Sequence, residues 1–152
     1  MPLISRIISE DHHGAALAAG MSLAQRVLVV DDDPMICLLL GEMLRQMGHG
    51  VCGSASSEPA ALALAANHRP DLLIVDAWLG AESGLDTVTK ILAAGFVPHV
   101  FTSGDLQKLR NLRPDAMVLE KPFKEPALAR AIHQALNEPL AATDLRASST
   151  AA

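Results

Sequence analysis

Residues 72–76 read Leu-Leu-Ile-Val-Asp, four consecutive apolar side chains followed by one carboxylic acid. A Pro-Asp pair precedes this segment and Gly80 follows it, so it has the length and the borders of a strand. Its apolar residues do not alternate with polar ones, which predicts a strand covered on both faces, as in a parallel sheet flanked by helices. Asp76 then stands at the carboxyl end of the strand, where such sheets bind ligands, although it could instead only cap the next turn.

A second apolar strand is predicted over residues 26–30, and three consecutive aspartates at positions 31–33 follow it. Pro34 suits the first turn of a helix, with the third aspartate as its N-cap. Apolar residues recur at helical spacing as far as Met47, and Gly48 ends the segment. Two of the predicted strands therefore end in acids.

The remaining periodic segments predict three more strands and four more helices. The strands are expected over 51–54, 97–103 and 116–119, and the helices over 57–67, 84–93, 105–112 and 126–136. Five strands alternating with five helices indicate an α/β fold, a doubly wound five-stranded parallel sheet with helices on both faces. In the flavodoxin-like strand order 2-1-3-4-5, the ends of the first, third, fourth and fifth strands surround one crevice. Those ends carry Asp31 with Asp32, Asp76, Thr102 with Ser103, and Lys121.

Length and composition limit the class of protein. The 152 residues suffice for one domain, expected over 26–137, between a flexible N-terminal extension (1–25) and a C-terminal tail (138–152). A net charge of −5 argues against a nucleic-acid-binding domain, which would be basic. The sequence lacks an apolar run of membrane-span length and an apolar N-terminal stretch, so we expect a cytoplasmic protein without a membrane partner. Cys37 and Cys52 lack metal-ligand spacing and are interpreted as free thiols.

Three carboxylates at one sheet edge restrict the chemistry of the crevice. Each pair repels by about 4 kcal/mol at 4 Å and an effective dielectric constant near 20. Such a cluster needs protons or a cation, and Mg²⁺, held by carboxylates, water and phosphate oxygens, fits it best. One carboxylate can then attack a phosphoryl group and become an acyl phosphate, while a lysine and a hydroxyl hold the other phosphoryl oxygens. The strand ends therefore predict phosphoryl transfer to an aspartate.

These motifs agree in type, order and spacing with a known family. Over residues 26–136 the chain resembles the receiver domain of bacterial two-component response regulators, in which an acid pair follows the first strand and a phosphoacceptor ends the third. The resemblance implies Asp31 and Asp32 as the acid pair that binds Mg²⁺ with the phosphoacceptor, Asp76, which lies 44 residues after Asp32. It also implies Lys121 as the phosphoryl-binding lysine and a cis peptide bond before Pro122.

The resemblance also selects a hydroxyl and a further metal ligand. The family's Ser or Thr lies five residues after a proline that opens the fourth strand; Pro98 opens it here, which implies Ser103, with Thr102 as the alternative. Trp78, two residues after the acceptor, would offer its backbone carbonyl to the metal. Its side chain stands where the family tunes hydrolysis of the acyl phosphate, or it is an exposed loop aromatic without a role.

Two further positions depart from the family pattern. Gly80 stands where these proteins usually have a proline. By contrast, Gly84, eight residues after the acceptor, is typical of the family. Val118, three residues before Lys121, replaces the aromatic residue that rotates when most receivers are phosphorylated.

By resemblance, the chain is a single-domain response regulator that receives its phosphoryl group from a histidine kinase or a histidine phosphotransfer protein. It would signal by phosphorylation-dependent protein interaction or by phosphorelay. It would not be an enzyme, because it would catalyse only its own phosphorylation and dephosphorylation. Because the segment after the last predicted helix is short, we expect no DNA-binding domain. The alternative is a small Mg²⁺-dependent phosphohydrolase of the haloacid dehalogenase type with Asp31 as nucleophile, which leaves Asp76 without a role.

Overall fold

Strands and helices alternate along the chain. The computed structural model describes residues 23–137, so most of the expected extension and the whole of the expected tail lie outside the described residues. The elements are β1 (Arg26–Val30), α1 (Pro34–Gln46), β2 (Gly50–Ala55), α2 (Glu58–His68), β3 (Leu72–Asp76), β4 (Trp78–Leu79), β5 (Glu82–Ser83), α3 (Gly84–Leu92), β6 (His99–Ser103), α4 (Leu106–Leu112), β7 (Val118–Glu120) and α5 (Glu125–Asn137). The predicted bounds agree with these to within two residues.

Five of the strands form one parallel sheet in the order β2-β1-β3-β6-β7. Counted among themselves, these strands have the order 2-1-3-4-5, so the predicted doubly wound α/β fold is confirmed. The central strand is β3, and all of its residues are buried, as its unbroken apolar run predicts. β4 and β5 form a separate antiparallel hairpin directly after β3, which the sequence analysis did not predict.

Helices cover both faces of the sheet because successive strand residues point to opposite sides. On one face, α1 and α5 pack through Leu40, Leu44, Leu128 and Ile132. On the other face, α2, α3 and α4 pack through Ala61, Leu85, Val88 and Leu109. Within residues 23–137, no helix is long and apolar enough to cross a bilayer.

Capping side chains fix where four of the helices begin. Asp33, Ser57, Ser83 and Asp105 each accept a hydrogen bond from a backbone N–H in the first turn that follows. Asp33 was predicted as the cap of α1. The N-termini of α1, α2, α3 and α4 are therefore each fixed by a capping side chain.

Gln25 connects the start of β1 to the rest of the domain. Its backbone N–H donates to Nδ1 of the buried His49 at 2.9 Å, and its carbonyl accepts from the Gly50 N–H at 2.9 Å. Gln25 was expected to be the last residue of the flexible extension, but these contacts make it part of the packed domain.

Candidate functional site

Three carboxylates meet at the carboxyl edge of the sheet. Asp31 and Asp32 directly follow β1, and Asp76 ends the neighbouring strand β3. One carboxylate oxygen of each residue lies within 4.8 Å of the others. Asp31 and Asp76 are buried, whereas Asp32 is exposed. The structure thus brings the three predicted acids together, because the strand order places β1 and β3 side by side.

Lys121 places its ammonium group between two of these acids. Its Nζ lies 2.8 Å from Oδ2 of Asp31 and 3.2 Å from Oδ2 of Asp76. The Lys121 backbone N–H also donates to the Ser103 carbonyl at 2.8 Å, which joins the end of β6 to the segment after β7. The Lys121–Pro122 peptide bond is cis, as the resemblance implies. Lys121 is therefore held at the site by its backbone as well as by its charge.

Burial and neighbouring charges shift two pKa values at the site. Burial raises the pKa of the Asp76 carboxyl above its ordinary value, and the Trp78 N–H and the Lys121 charge offset this only in part. Burial lowers the pKa of Lys121, but hydrogen bonds to Asp31 and Asp76 and their charges outweigh it and leave this pKa above its ordinary value. Lys121 is therefore charged at neutral pH and balances part of the acid cluster.

The hairpin after β3 lies beside the acids. The Trp78 backbone N–H donates to Oδ1 of Asp76 at 3.1 Å, and Trp78 pairs with Ser83 in the hairpin. Gly80 at the tip has a φ of 61°, which a proline with φ near −65° cannot adopt. This conformation explains why the chain has a glycine at the position where the family usually has a proline. A Cβ on Gly80 would lie 3.5 Å from Oδ2 of Asp32, so the tip lies beside the exposed acid.

The two hydroxyl residues at the end of β6 differ in their hydrogen bonds. Both side chains are fully buried. The Ser103 Oγ accepts a hydrogen bond from the Asp105 N–H at 2.9 Å. Thr102 lies beside Asp76 in the sheet register, and among the described residues its Oγ1 has no hydrogen-bond partner. Which of the two contacts a phosphoryl group stays a prediction, with Ser103 as the expected residue.

The donor set at the sheet edge fits the expected metal. Asp31, Asp32 and Asp76 present carboxylate oxygens, the ligand type that hard divalent cations prefer. Their crowded negative charge is offset only partly by Lys121. Mg²⁺ with additional water ligands meets both requirements.

Lys108 is a neighbour of the site that the sequence analysis missed. Its Nζ lies 4.3 Å from the centroid of the Trp78 ring. The contact joins the hairpin to α4, and no periodic pattern links two such positions. The available signal was compositional: Trp78 is the one tryptophan in a sequence with three phenylalanines and no tyrosine, and the face of an indole ring attracts a cation.

Comparison with known proteins identifies the family of this fold and site. Residues 27–133 match the profile of the response regulator receiver domain. The chain belongs to the response regulator receiver family. Receiver domains typically use Mg²⁺, which agrees with the acid cluster at this sheet edge.

Two curated relatives of this receiver are regulators in bacteria. The chain is 34% identical over 130 residues to the phyllosphere-induced regulator PhyR of Methylorubrum extorquens, across 83% of the chain and 48% of PhyR. It is 31% identical over 128 residues to the transcriptional regulatory protein PdtaR of Mycobacterium tuberculosis, across 82% of the chain and 62% of PdtaR. The receiver thus spans about half the length of PhyR and about three fifths of PdtaR.

Solved structures of PhyR show the same architecture. The solution structure of the PhyR receiver domain of Erythrobacter litoralis is similar with a TM-score of 0.70 and 32% identity, over 76% of this receiver and 95% of that chain. A second structure is that of PhyR of Bartonella quintana, an anti-anti-sigma factor, complexed with the anti-sigma factor NepR. It is similar with a TM-score of 0.53 and 28% identity, over 59% of this receiver and 38% of that chain.

Proposed function

We propose that this receiver accepts a phosphoryl group on Asp76 from a phosphohistidine of a histidine kinase or a histidine phosphotransfer protein. A carboxylate oxygen of Asp76 attacks the phosphorus atom, the phosphorus–nitrogen bond of the donor breaks, and the histidine nitrogen leaves with the electron pair. Later hydrolysis of the aspartyl phosphate returns the carboxylate and inorganic phosphate. The meeting of three acids and Lys121 at one sheet edge carries this proposal.

The acid cluster is the proposed metal site. Asp31, Asp32 and Asp76 would hold Mg²⁺, with the backbone carbonyl of Trp78 as a further ligand. When bound, the ion offsets the negative charge of the acids and of the transferring phosphoryl group. The buried Asp31 is fixed by the Asp33 N–H, which donates to its Oδ1 at 2.9 Å. The Asp32 carboxylate is exposed and lies within 4.8 Å of the other two acids.

Lys121 and Ser103 are the proposed ligands of the phosphoryl oxygens. The Lys121 Nζ lies 3.2 Å from the Asp76 oxygen and can donate to a phosphoryl group on that carboxylate. Within residues 23–137, the Ser103 hydroxyl has one hydrogen-bond partner, the Asp105 N–H, to which it is the acceptor, so its own proton is available for donation. Thr102 is the alternative hydroxyl.

An exposed apolar surface beside the acids supports a protein as the phosphodonor. It consists of Met35, Leu38 and Leu39 on α1, whose exposed fractions are 68%, 63% and 49%. Helix α1 begins directly after the acid pair, so a partner helix that covers these side chains would lie next to the site. A small phosphodonor would make no use of this surface.

The burial of Asp31 and the position of Asp76 oppose the alternative of a phosphohydrolase with Asp31 as nucleophile. With Asp31 as the nucleophile, Asp76 would have no role, although it lies in the same acid cluster and 3.2 Å from the Lys121 Nζ. Asp31 is also almost completely buried, at 1% exposure. The activity that we propose for the receiver is its own phosphorylation and dephosphorylation.

For the output we propose a phosphorylation-dependent protein interaction or a phosphorelay step in the cytoplasm. The PhyR of Bartonella quintana in complex with NepR is a relative whose partner is a protein. The free thiols Cys37 and Cys52 agree with a reducing compartment.

The test is covalent labelling of Asp76. The purified chain is incubated with acetyl phosphate and Mg²⁺, and the modified residue is located by mass spectrometry after reduction of the acyl phosphate. We expect one phosphoryl group on the wild type and on the control variant Asp33→Asn. Asp33 is the exposed N-cap residue of α1 and follows the acid pair directly. Asp76→Asn should take up none, because an amide is not a nucleophile here. Equal labelling of Asp76→Asn would contradict the assignment.

A further inference from the structure

Lys108 and Trp78 form a cation–π contact between two segments that border the acid cluster. The Lys108 Nζ lies 4.3 Å from the centroid of the indole ring, within the range in which a cation is attracted by the ring face. Trp78 follows β3 by two residues, and Lys108 lies on α4, which follows β6. We call this contact the Trp78–Lys108 stack.

The backbone of Trp78 is part of the site. Its N–H donates to Oδ1 of Asp76 at 3.1 Å, so a shift of this residue moves the carboxylate that carries the proposed chemistry. On its other side Trp78 pairs with Ser83 in a hairpin of two residues per strand. Such a short hairpin is marginal by itself, so the position of Trp78 depends on what its side chain contacts.

The indole is held from two directions. It packs against the apolar cluster under α2, α3 and α4, and Lys108 lies over its face. The Lys108 backbone N–H is fixed by the N-cap, Asp105, at 3.0 Å, and the Asp105 N–H donates to the Ser103 hydroxyl. Lys108 therefore reaches Trp78 from a helix whose first residue is attached to the end of β6.

We propose that Lys108 is a positioning residue for the phosphoryl site. By stacking on the indole it restrains Trp78, and through the Trp78 N–H it holds the Asp76 carboxylate in the orientation that receives the phosphoryl group. Lys108 itself lies outside the acid cluster and makes no contact with Asp76 among the described hydrogen bonds and ion pairs. This inference rests on the proposed function of Asp76.

The expected effect is small and measurable. A cation–π contact of an exposed lysine contributes a free energy that corresponds to about a two- to fivefold change in an equilibrium constant. We therefore expect removal of Lys108 to weaken binding of a phosphoryl analogue by about two- to fivefold, and not to abolish it.

The experiment compares the full chain with Lys108→Ala, Lys108→Arg and Arg110→Ala. The arginine variant keeps a cation that can stack on the ring, and Arg110→Ala removes the same charge from an exposed position of the same helix. Binding of beryllofluoride in the presence of Mg²⁺ is measured by calorimetry. In metal-free buffer, quenching of the fluorescence of the single tryptophan by acrylamide reports the indole directly.

Weaker beryllofluoride binding and stronger quenching in Lys108→Ala, with both other variants close to wild type, are the expected results. Unchanged or tighter binding in Lys108→Ala overturns the inference, as does an equal loss in Arg110→Ala. Unchanged quenching in Lys108→Ala overturns it as well, because the stack then does not cover the indole in solution. A wild type that binds no beryllofluoride overturns the proposed function, and the inference with it.

Discussion

Gly84 lies so close to Asp76 that a Cβ atom on the glycine would overlap the Asp76 carbonyl oxygen. The same Cβ would also press on the Asp76 carbonyl carbon and on a methyl group of Val75. Two of these atoms belong to the backbone of the central strand, which cannot move aside without moving the carboxylate. The glycine that the family resemblance marks as typical is therefore required by the contact between the start of α3 and the end of β3.

Gly84→Ala should destabilise the domain and disturb Asp76. Overpacking against rigid atoms costs about 1–3 kcal/mol of unfolding free energy. Gly41→Ala is the matched control, because a Cβ there would meet only the flexible end of Arg45, 3.2 Å away at Nη1. Urea unfolding should show a loss for Gly84→Ala and none for Gly41→Ala; equal midpoints for the two variants would contradict the close contact.

Lys121 balances the buried charge of Asp31 in the absence of a metal. Lys121→Met leaves this carboxylate, which is 1% exposed, without its ion-pair partner. We expect a loss of about 1–3 kcal/mol of unfolding free energy in buffer with a chelator. Adding Asp31→Asn removes the uncompensated charge and should recover part of the loss. If the double variant is no more stable than Lys121→Met, the ion pair is not the source of the effect.

Substitutions at Thr102 and Ser103 distinguish which of the two hydroxyls contacts the phosphoryl group. Thr102→Val replaces a buried hydroxyl that lacks a partner among the described residues, so stability should stay the same or rise by up to about 1 kcal/mol, with normal labelling of Asp76. Ser103→Ala should slow labelling by about tenfold or more, the contribution of one hydrogen bond to a charged group. Ser103→Thr, which keeps the hydroxyl, is the control. The reverse pattern would assign the phosphoryl contact to Thr102.

The sequence predicted those features that depend on local pattern. The apolar run of β3 predicted its burial, and the periodicity of the other segments predicted alternating strands and helices. The flavodoxin-like strand order, which is typical of such an alternation, brings Asp76 next to Asp31. Lys121 reaches the same point because β7 ends at the same edge of the sheet. These are consequences of parallel strands with short connections, and they follow without knowledge of any side-chain contact.

Very short elements and contacts between distant segments could not be predicted. The hairpin from Trp78 to Ser83 has strands of two residues, too short to show a period. The stack of Lys108 on Trp78 depends on the relative position of α4 and the hairpin, which the sequence does not display. Thr102 and Ser103 are adjacent at one strand end and both are buried, so neither the sequence nor burial distinguishes which hydroxyl contacts the phosphoryl group.

His49 should make stability depend on pH. Its buried Nδ1 accepts from the Gln25 N–H, and burial lowers its pKa. The unfolded chain, with a histidine pKa of about 6.5, then binds a proton more readily than the folded one. The stabilisation is present above about pH 6.5 and is lost as the pH falls through the folded pKa, by at most about 1.4 kcal/mol per pH unit.

The measurement is the difference in unfolding free energy between wild type and His49→Gln across pH 5 to 8. This difference isolates His49, because His99, whose pKa is also lowered by burial, and Asp76, whose pKa is raised by burial, remain in both proteins. Wild type should lose stability relative to His49→Gln as the pH falls. Parallel profiles would show that His49 does not titrate differently in the folded state.

Helix α4 is the expected reporter of phosphorylation. The backbone N–H of its N-cap, Asp105, donates to the Ser103 hydroxyl, so a rotation of that hydroxyl towards a phosphoryl group disturbs the start of the helix. The helix has seven residues, of which Leu109 is buried, and such a segment lies at the low-stability end of a domain. Val118 has one side-chain torsion and cannot swing into the site as an aromatic residue could.

We therefore expect beryllofluoride with Mg²⁺ to change amide hydrogen exchange mainly across residues 104–113, while the peptide around Val118 exchanges as before. Asp76→Asn under the same conditions is the control and should show no change in either segment. A response around Val118 with none across 104–113 would contradict this route. Such a result would mean that the signal leaves the site through β7, where Val118 pairs with Phe101, and not through the Ser103–Asp105 hydrogen bond.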